Sequence, residues 1–281
     1  MAITFSFDTQ EILPFHGYRT LRDNGSGFDR GPAEIYPSIE HFYQSEKFRG
    51  VDEGYRRLII SLPTAREARK AGSRHEGRED WNDVRERVMS CGMWFKMREY
   101  KLWRRQLLMM ANSGGLNGVY SFKDKFWNEL GEDSLSRYDR LLLSVLGRMR
   151  GKSMRVLVTG SREFSNAFLF STKLDSLLSR ARPDEVVIAC ARGADSMAEQ
   201  WAIARHLPVK HFPQVGRPGR PDMTERNKLM LASSTHVIAF WMGGSPGIGE
   251  IVKLAQDMRK PLRLITLDAQ GRIAKTPNGR R

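Results

Sequence analysis

The chain of 281 residues contains only two cysteines, Cys91 and Cys190, both in apolar stretches. Neither a disulfide framework nor a thiolate metal cluster is therefore expected, and both read as core filling. Its histidines, His16, His41, His75, His206, His211 and His236, fall at no spacing typical of a metal site, so no metal and no cofactor are expected. No run of 18 apolar residues occurs, and the start "MAITFSFDTQ" lacks the basic segment and apolar core of a signal peptide. A soluble, cytoplasmic protein without a membrane partner is the expectation. Long linkers, repeats and low-complexity segments are also missing.

What is present is a globular composition, 40% hydrophobic and 10% aromatic, in a chain long enough for two domains. Near "GRMRGKSMRVLVTG" a helical apolar pattern gives way to a β-branched run, which places a boundary at about residue 151. The net charge of +14 is uneven: residues 1–150 carry 25 Lys and Arg against 21 Asp and Glu, and residues 151–281 carry 21 against 11, hence +4 and +10. A basic second half favours anionic partners such as nucleotides, nucleic acid or phosphorylated metabolites, while the basic tail "GRIAKTPNGRR" is explained equally well by solubility alone.

The first half is predicted to be mostly helical. Trp81, Val84, Val88, Cys91 and Phe95 recur at steps of 3 and 4, and "YDRLLLSVLGRM" repeats that pattern. "ITFSF" reads as a short strand and Asn24 to Gly31 as a loop. Trp94 and Trp103 fall on apolar faces and read as core. The segment "YPSIEHFYQSEKF" opens with Pro37 and Ser38, good helix-start residues, and then sets Glu40, Tyr43, Gln44 and Lys47 on one helical face. Glu40 falls in the first turn, where the helix dipole favours its ionised form. Ile39, Phe42 and Phe48 supply apolar anchors. A carboxylate and a lysine at one end of a pocket suit chemistry at a sugar carbon that becomes positive as an N-glycosidic bond breaks. A plain surface helix would show the same spacing.

The second half alternates strand, loop and helix: "MRVLVTG", "FSTKLDSLLSRA", "EVVIAC", "ADSMAEQWAIARH", "HVIAFW" and "GEIVKLAQDM". That order predicts a parallel sheet with right-handed crossovers and a ligand at the strand carboxyl ends. Each strand runs into a loop suited to phosphate, "TGSRE", "CARGAD" and "WMGGSPGIGE", with Arg162, Arg192 and Arg226 beside a Gly or Asn in what reads as loop. Trp241 borders the third loop.

Two resemblances follow from these stretches. "RVLVTGSREF", "ARGADSMAEQWA", "TERNKLM" and "VIAFWMGGSPGIGEIV" resemble the SLOG superfamily of Rossmann-like nucleotide-binding domains, in its YspA-related branch. The resemblance implies a nucleotide site built from Gly160, Ser161, Arg162, Arg192, Gly193, Asp195, Arg226, Asn227, Ser245, Gly247 and Glu250. Some relatives cleave base from ribose 5-phosphate with Gly-Gly-x-Gly-Thr-x-x-Glu. Here "GGSPGIGE" has Ile248 in the Thr position and Glu250 one residue early, which points to a ligand sensor.

The segment "YPSIEHFYQSEKF", with "AREARKAGSR", "REDWNDVRERVM", "FKMREYKL" and "FWNELGED" following in order, resembles the NADAR family of NAD- and ADP-ribose-associated N-glycosidases. One branch of that family removes ADP-ribose from guanine bases of nucleic acid, and another cleaves an early riboflavin-pathway intermediate. The resemblance implies Glu40 and Lys47 as catalytic, with Asp133 as a second carboxylate. It also implies a substrate pocket of His41, Tyr43, Gln44, Trp81, Lys96 and Trp127. The family's glycine-rich loop is shortened here, and Tyr138 or Arg140 falls where an Asn is expected.

The expected fold is α/β: a mostly helical α+β domain over 1–150, then a Rossmann-like parallel-sheet domain over 151–281. The expected function is hydrolysis of the glycosidic bond of ADP-ribosylated guanine in nucleic acid, or of a related ADP-ribose or phosphoribosyl nucleotide, with a second nucleotide bound by the C-terminal domain. NAD metabolism, nucleic-acid repair and phage–host conflict are the settings this pairing suggests. The alternatives are a non-catalytic sensor of NAD-derived nucleotides and a basic nucleic-acid-binding protein. Assembly into a homo-oligomer is left open.

Overall fold

The structure, a computed structural model, describes residues 13–23, 28–113, 124–151, 153–212 and 221–274. It divides into two compact units, Met1–Thr20 with Gly31–Lys152, and Leu21–Arg30 with Ser153–Arg281. The expected strand at "ITFSF" and the C-terminal tail from 275 lie outside the described residues.

A two-stranded sheet, β1 Phe15–Asp23 and β2 Phe28–Tyr36, comes first along the chain, and its residues 15–20 and 31–36 belong to the first unit. Phe28 to Gly31, expected in a loop, are the start of β2: pairing with β1 overrides the local turn preference of Asp29 and Gly31. Six helices follow: α1 Ile39–Glu46, α2 Glu53–Ser61, α3 Ala65–Gly72, α4 Trp81–Glu99, α5 Lys101–Asn112 and α6 Arg137–Arg150. Side chains cap four of them. Ser38, Asp52 and Thr64 accept from backbone N–H groups three residues on, and Ser136 forms a reciprocal capping box with Asp139.

Helix α1 has no solvated face. All eight of its residues are buried, because α2, α3 and α4 pack around it. Phe42 anchors it among Phe15, Tyr18, Tyr36 and Phe95, at ring-centroid distances of 4.9 to 6.2 Å. Beyond α1, Phe48 packs with Ile59, Ala68 and Ala71. Trp94 and Trp103 are buried as expected.

Behind this core sits a charged clasp. Arg49 grips the buried Glu46 through Nε and Nη2 at 2.7 to 2.9 Å, and also donates to Glu34 at 3.1 Å. Arg56 donates to the same Glu34, which also accepts from Tyr36 at 2.6 Å. Burial alone would raise the Glu34 carboxyl, but the Arg56 hydrogen bond and the charges of Arg49 and Arg56 outweigh it and hold the pKa at about 2. This network ties β2 to α1 and α2.

The second unit is a five-stranded parallel sheet ordered β5-β4-β3-β6-β7, with β3 Arg155–Gly160, β4 Glu185–Ile188, β5 Val209–His211, β6 His236–Trp241 and β7 Leu262–Thr266. The helices are α7 Ala167–Leu178, α8 Ala194–Ala204, α9 Pro221–Ser233 and α10 Pro246–Asp257. One sheet face carries Leu157, Val187 and Val237 under Met230 and Leu231 of α9 and Ile251 and Ala255 of α10. The other carries Phe240, stacked on Phe164 at 5.5 Å and close to Phe170 of α7 at 4.6 Å. Two strands escaped the sequence pattern: β5 has only three residues, and β7 alternates leucine with arginine at a sheet edge.

Candidate functional site

The first cluster grows from α1. The Ser38 side chain accepts from His41 N–H, so the helix starts where Pro37 and Ser38 predict. Glu40 then points inward and is fully buried. Its Oε1 accepts from Gln44 Nε2 at 2.6 Å, while Glu40 Oε2 and Gln44 Oε1 are buried with no hydrogen-bond partner among the described residues. Desolvation pushes the Glu40 carboxyl up to about 7, against the lowering effects of the Gln44 bond and of the Arg69 and Lys47 charges. The expectation that the helix dipole keeps Glu40 ionised is thus corrected: removal from water outweighs a first-turn dipole.

Lys47, at the C-cap of α1, is half-buried and donates through Nζ to Gly72 O at 3.1 Å. It lies 5.4 Å from the Trp81 ring centroid. Burial lowers its pKa, with Glu40 opposing that shift. The Lys47 carbonyl accepts from Arg78 N–H at 2.8 Å, so the end of α3 and the stretch after it hold this residue from two sides. Gly72 is required for close approach: a Cβ there would collide with Gln44 Oε1 and come within 2.9 Å of its Cβ and Cδ.

An aromatic wall closes the cluster. Tyr43 packs against Trp81 at 4.9 Å and edge-on to the buried Trp127 at 5.7 Å. Burial keeps the Tyr43 phenol protonated, well above its ordinary pKa. Asp124 orients this wall. Its Oδ1 accepts from Phe126 and Trp127 N–H at 2.9 and 3.4 Å, and its Oδ2 pairs with Arg69 at 3.0 Å.

The residues expected in this pocket divide. Glu40, Tyr43, Gln44, Lys47, Trp81 and Trp127 are brought together. His41 turns away: its Nε2 donates to Leu62 O at 3.0 Å, which leaves Nδ1 to accept from Ser38 Oγ at 2.7 Å, so it fastens α1. Lys96 is buried near Trp103, its Nζ 4.9 Å from that ring centroid. Asp133 lies apart from the groups that act on Glu40. It is exposed and pairs with Arg140 at 3.3 Å, while the charge of Asp124 is among the lesser influences that raise the Glu40 carboxyl. Asp124 and Arg69 were missed because neither shares a helix with Glu40. Arg69 lies within the quoted "AREARKAGSR", which was the one available signal.

The second cluster lies at the carboxyl edge of the parallel sheet. Ser161 follows β3, donates its N–H to Phe240 O at 2.8 Å, and accepts Met242 N–H on its Oγ at 3.0 Å, so it joins the first and third loops. Gly193, at φ +72°, packs against the Ser161 and Arg162 backbone, where a side chain would be both strained and obstructed. Gly160 is equally tight against Phe240 O and Ala194. Asp195, buried in the first turn of α8, accepts Ala191 N–H at 3.0 Å and shapes the second loop. Arg162 and Arg192 stand exposed at this edge.

Arg226 is not in a loop but inside α9, because the stretch around "TERNKLM" is helical. Its neighbour Asn227 donates to Glu250 of α10 at 2.9 Å. Ser245 is the N-cap of α10 without a side-chain bond to it, and Gly247 lies in the first turn. Trp241, half-buried, ends β6 beside these groups. No group of three or more His, Cys, Asp or Glu side chains among the described residues is arranged to hold a metal, and no described helix is long and apolar enough to cross a membrane.

No curated protein is significantly similar to this chain. Among solved structures, the NMR structure of the Escherichia coli protein YbiA, a NADAR family protein, is similar over the N-terminal half. It is 21% identical, covers 50% of this chain and 74% of its own, and has a TM-score of 0.35. Residues 154–214 match the family described as YspA, cpYpsA-related SLOG family.

Proposed function

We propose that the first unit is an N-glycosidase acting on ADP-ribosylated guanine in nucleic acid, or on a related ADP-ribose or phosphoribosyl nucleotide, and that the second unit binds a nucleotide ligand. The observation that carries this reading is Glu40: a fully buried carboxyl with a pKa of about 7, flanked by Lys47 and enclosed by Tyr43, Trp81 and Trp127. A group balanced near neutrality both gives and takes a proton at physiological pH.

In this mechanism protonated Glu40 delivers its proton to the departing base. The carboxylate left behind stabilises the positive anomeric carbon and then draws a proton from the attacking water. In the covalent form of this step Lys47, whose burial-lowered pKa leaves more of its amine neutral, takes the place of water at the sugar carbon and passes its proton to the Glu40 carboxylate, and water then hydrolyses the adduct, directly or as the ring-opened Schiff base, to free the sugar and the amine. The aromatic wall offers stacking surfaces for the base. Arg69, fixed by Asp124, adds positive charge for a phosphorylated substrate. The resemblance of "YPSIEHFYQSEKF" to the NADAR signature supports the same reading.

For the second unit, three loops knit together by Ser161 and Gly193 at one sheet edge support a phosphate cradle, and so does the SLOG match. The test is incubation of the purified protein with an oligonucleotide carrying ADP-ribosyl-guanine, beside ADP-ribose nucleotides and NAD, with products read by mass spectrometry. Release of unmodified oligonucleotide or free base, lost in Glu40→Gln, is the expected result. Tight ADP-ribose binding without turnover on any substrate would replace the enzyme with a nucleotide sensor. A steep fall of oligonucleotide affinity with salt, without turnover, would favour a nucleic-acid-binding protein.

A further inference from the structure

Helix α4 opens with Trp81, which lines the pocket, and brings Arg85 round one turn later on the same face. The guanidinium carbon of Arg85 lies over the Phe126 ring, 3.3 Å from its centroid. Phe126 packs on Trp127 of the aromatic wall and is held by Asp124, which accepts its N–H at 2.9 Å. The charge of Arg85 reaches the reacting end of the pocket, since it acts on both the Tyr43 phenol and the Lys47 amine.

A second guanidinium, that of Arg137, lies 4.2 Å from the same ring centroid. The two differ in their partners. Arg137 pairs with Glu86 at 2.9 Å and with Glu129. Arg85 makes no hydrogen bond or ion pair among the described residues, and its buried Nε is without a partner there. Residues 114–123, which lie outside the described residues, contain no Asp or Glu to pair with it. Three cations thus belong to this pocket, Lys47, Arg69 and Arg85, against Asp124 and a Glu40 carboxyl that is about half protonated near pH 7. Asp124 is taken by Arg69. The positive charge left beside Lys47 favours an anion at this end of the site.

We infer that Arg85 binds the phosphate carried by the sugar whose glycosidic bond is broken, so that the substrates are nucleotides with a phosphate or diphosphate on that sugar and nucleosides are excluded. The inference rests on the reading of this pocket as a glycosidase site. A guanidinium offers paired N–H donors to phosphate oxygens, and a phosphate monoester brings the nearly double negative charge that suits the surplus. Contact with Phe126 already holds the Arg85 side chain in place, so little of its freedom is lost when the phosphate docks. Arg85 determines binding and specificity, and the bond-breaking step stays with Glu40.

The test measures turnover and binding separately on the full chain. For the substrate that is turned over, Arg85→Gln is expected to raise KM at least about tenfold while kcat stays within about threefold, and Arg85→Lys to recover part of the loss. Arg87→Gln, which removes an equal charge from an exposed position of α4, changes neither. Isothermal titration calorimetry needs no turnover. Ribose 5-phosphate is expected to bind at least about tenfold tighter than ribose, through a site that Arg85→Gln removes and Arg87→Gln keeps, whereas a site in the second unit is untouched by either variant. If Arg85→Gln does not fold, Arg85→Lys and the comparison with ribose carry the result. An unchanged KM, equal binding of ribose, or ribose 5-phosphate binding that is absent or indifferent to Arg85 overturns the inference, and turnover in the same protein leaves the glycosidase reading standing. If no substrate is turned over yet ribose 5-phosphate still binds through Arg85, the glycosidase reading falls and the phosphate site stands.

Discussion

Gln44 Nε2 donates to Glu40 Oε1 across 2.6 Å, one helical turn along α1, with both side chains buried. That hydrogen bond, with the charges of Arg69 and Lys47 behind it, opposes the desolvation of Glu40 and limits how far its pKa climbs. Replacement of Gln44 by Leu is expected to raise the Glu40 pKa further and move the limb of the pH–rate profile that reports Glu40 to higher pH. Kinetics of the two proteins across pH 5 to 9 check this, and superimposable profiles would separate Gln44 from the chemistry.

Glu40→Gln should abolish glycosidase turnover and keep the fold, since the amide matches the carboxyl in shape. A loss of at least about 100-fold is expected for a group that transfers the proton. Far-ultraviolet circular dichroism run beside the activity assay separates lost chemistry from lost structure.

Stability should carry the signature of Glu40. Its carboxyl is raised from 4.5 to about 7 on folding, so the folded state holds the proton more tightly. The associated stabilisation is fully present below pH 4.5 and is lost as pH rises through 7, about 3 kcal/mol in all. Chemical denaturation from pH 4.5 to 8 should show this decline in the parent protein and its disappearance in Glu40→Gln.

Glu34 should behave in the opposite sense. Held at about 2 by Arg56 and Arg49, it contributes stability that is present above pH 4.5 and lost as pH falls toward 2. Glu34→Gln is expected to cost about 3 kcal/mol at pH 7, because two guanidinium groups lose their carboxylate, and the difference should shrink on acidification. A pH-independent difference would refute the ionic origin.

Gly72→Ala tests the packing under the site. The added methyl meets Gln44, so a loss of about 1 to 3 kcal/mol is expected together with reduced activity. Unchanged thermal stability would mean that Gln44 moves aside freely.

Legibility in the sequence followed the range of the interactions. Ser38 caps its own helix, the apolar steps of Trp81 to Phe95 run along one face of α4, and the β3, β4 and β6 runs are continuous and β-branched, so local pattern sufficed for each. The placement of Glu40, Tyr43, Gln44 and Lys47 toward one region also followed from helical spacing. Asp124, Arg69 and β7 did not follow, since each depends on partners distant in the chain or on the edge position of a strand.

The residues that meet one turn apart, the helix starts and the alternation of β3, β4 and β6 with helices belong to the sequence itself, because hydrogen bonds and side-chain periodicity within a few residues dictate them. The ionisation of Glu40, the approach of Asp124 to it, the helical setting of Arg226 and the edge position of β7 belong to the tertiary structure alone. Each depends on how much water and which distant charges surround a group, and burial by α2, α3 and α4 turns a helix that reads as half-solvated into one with no face in water.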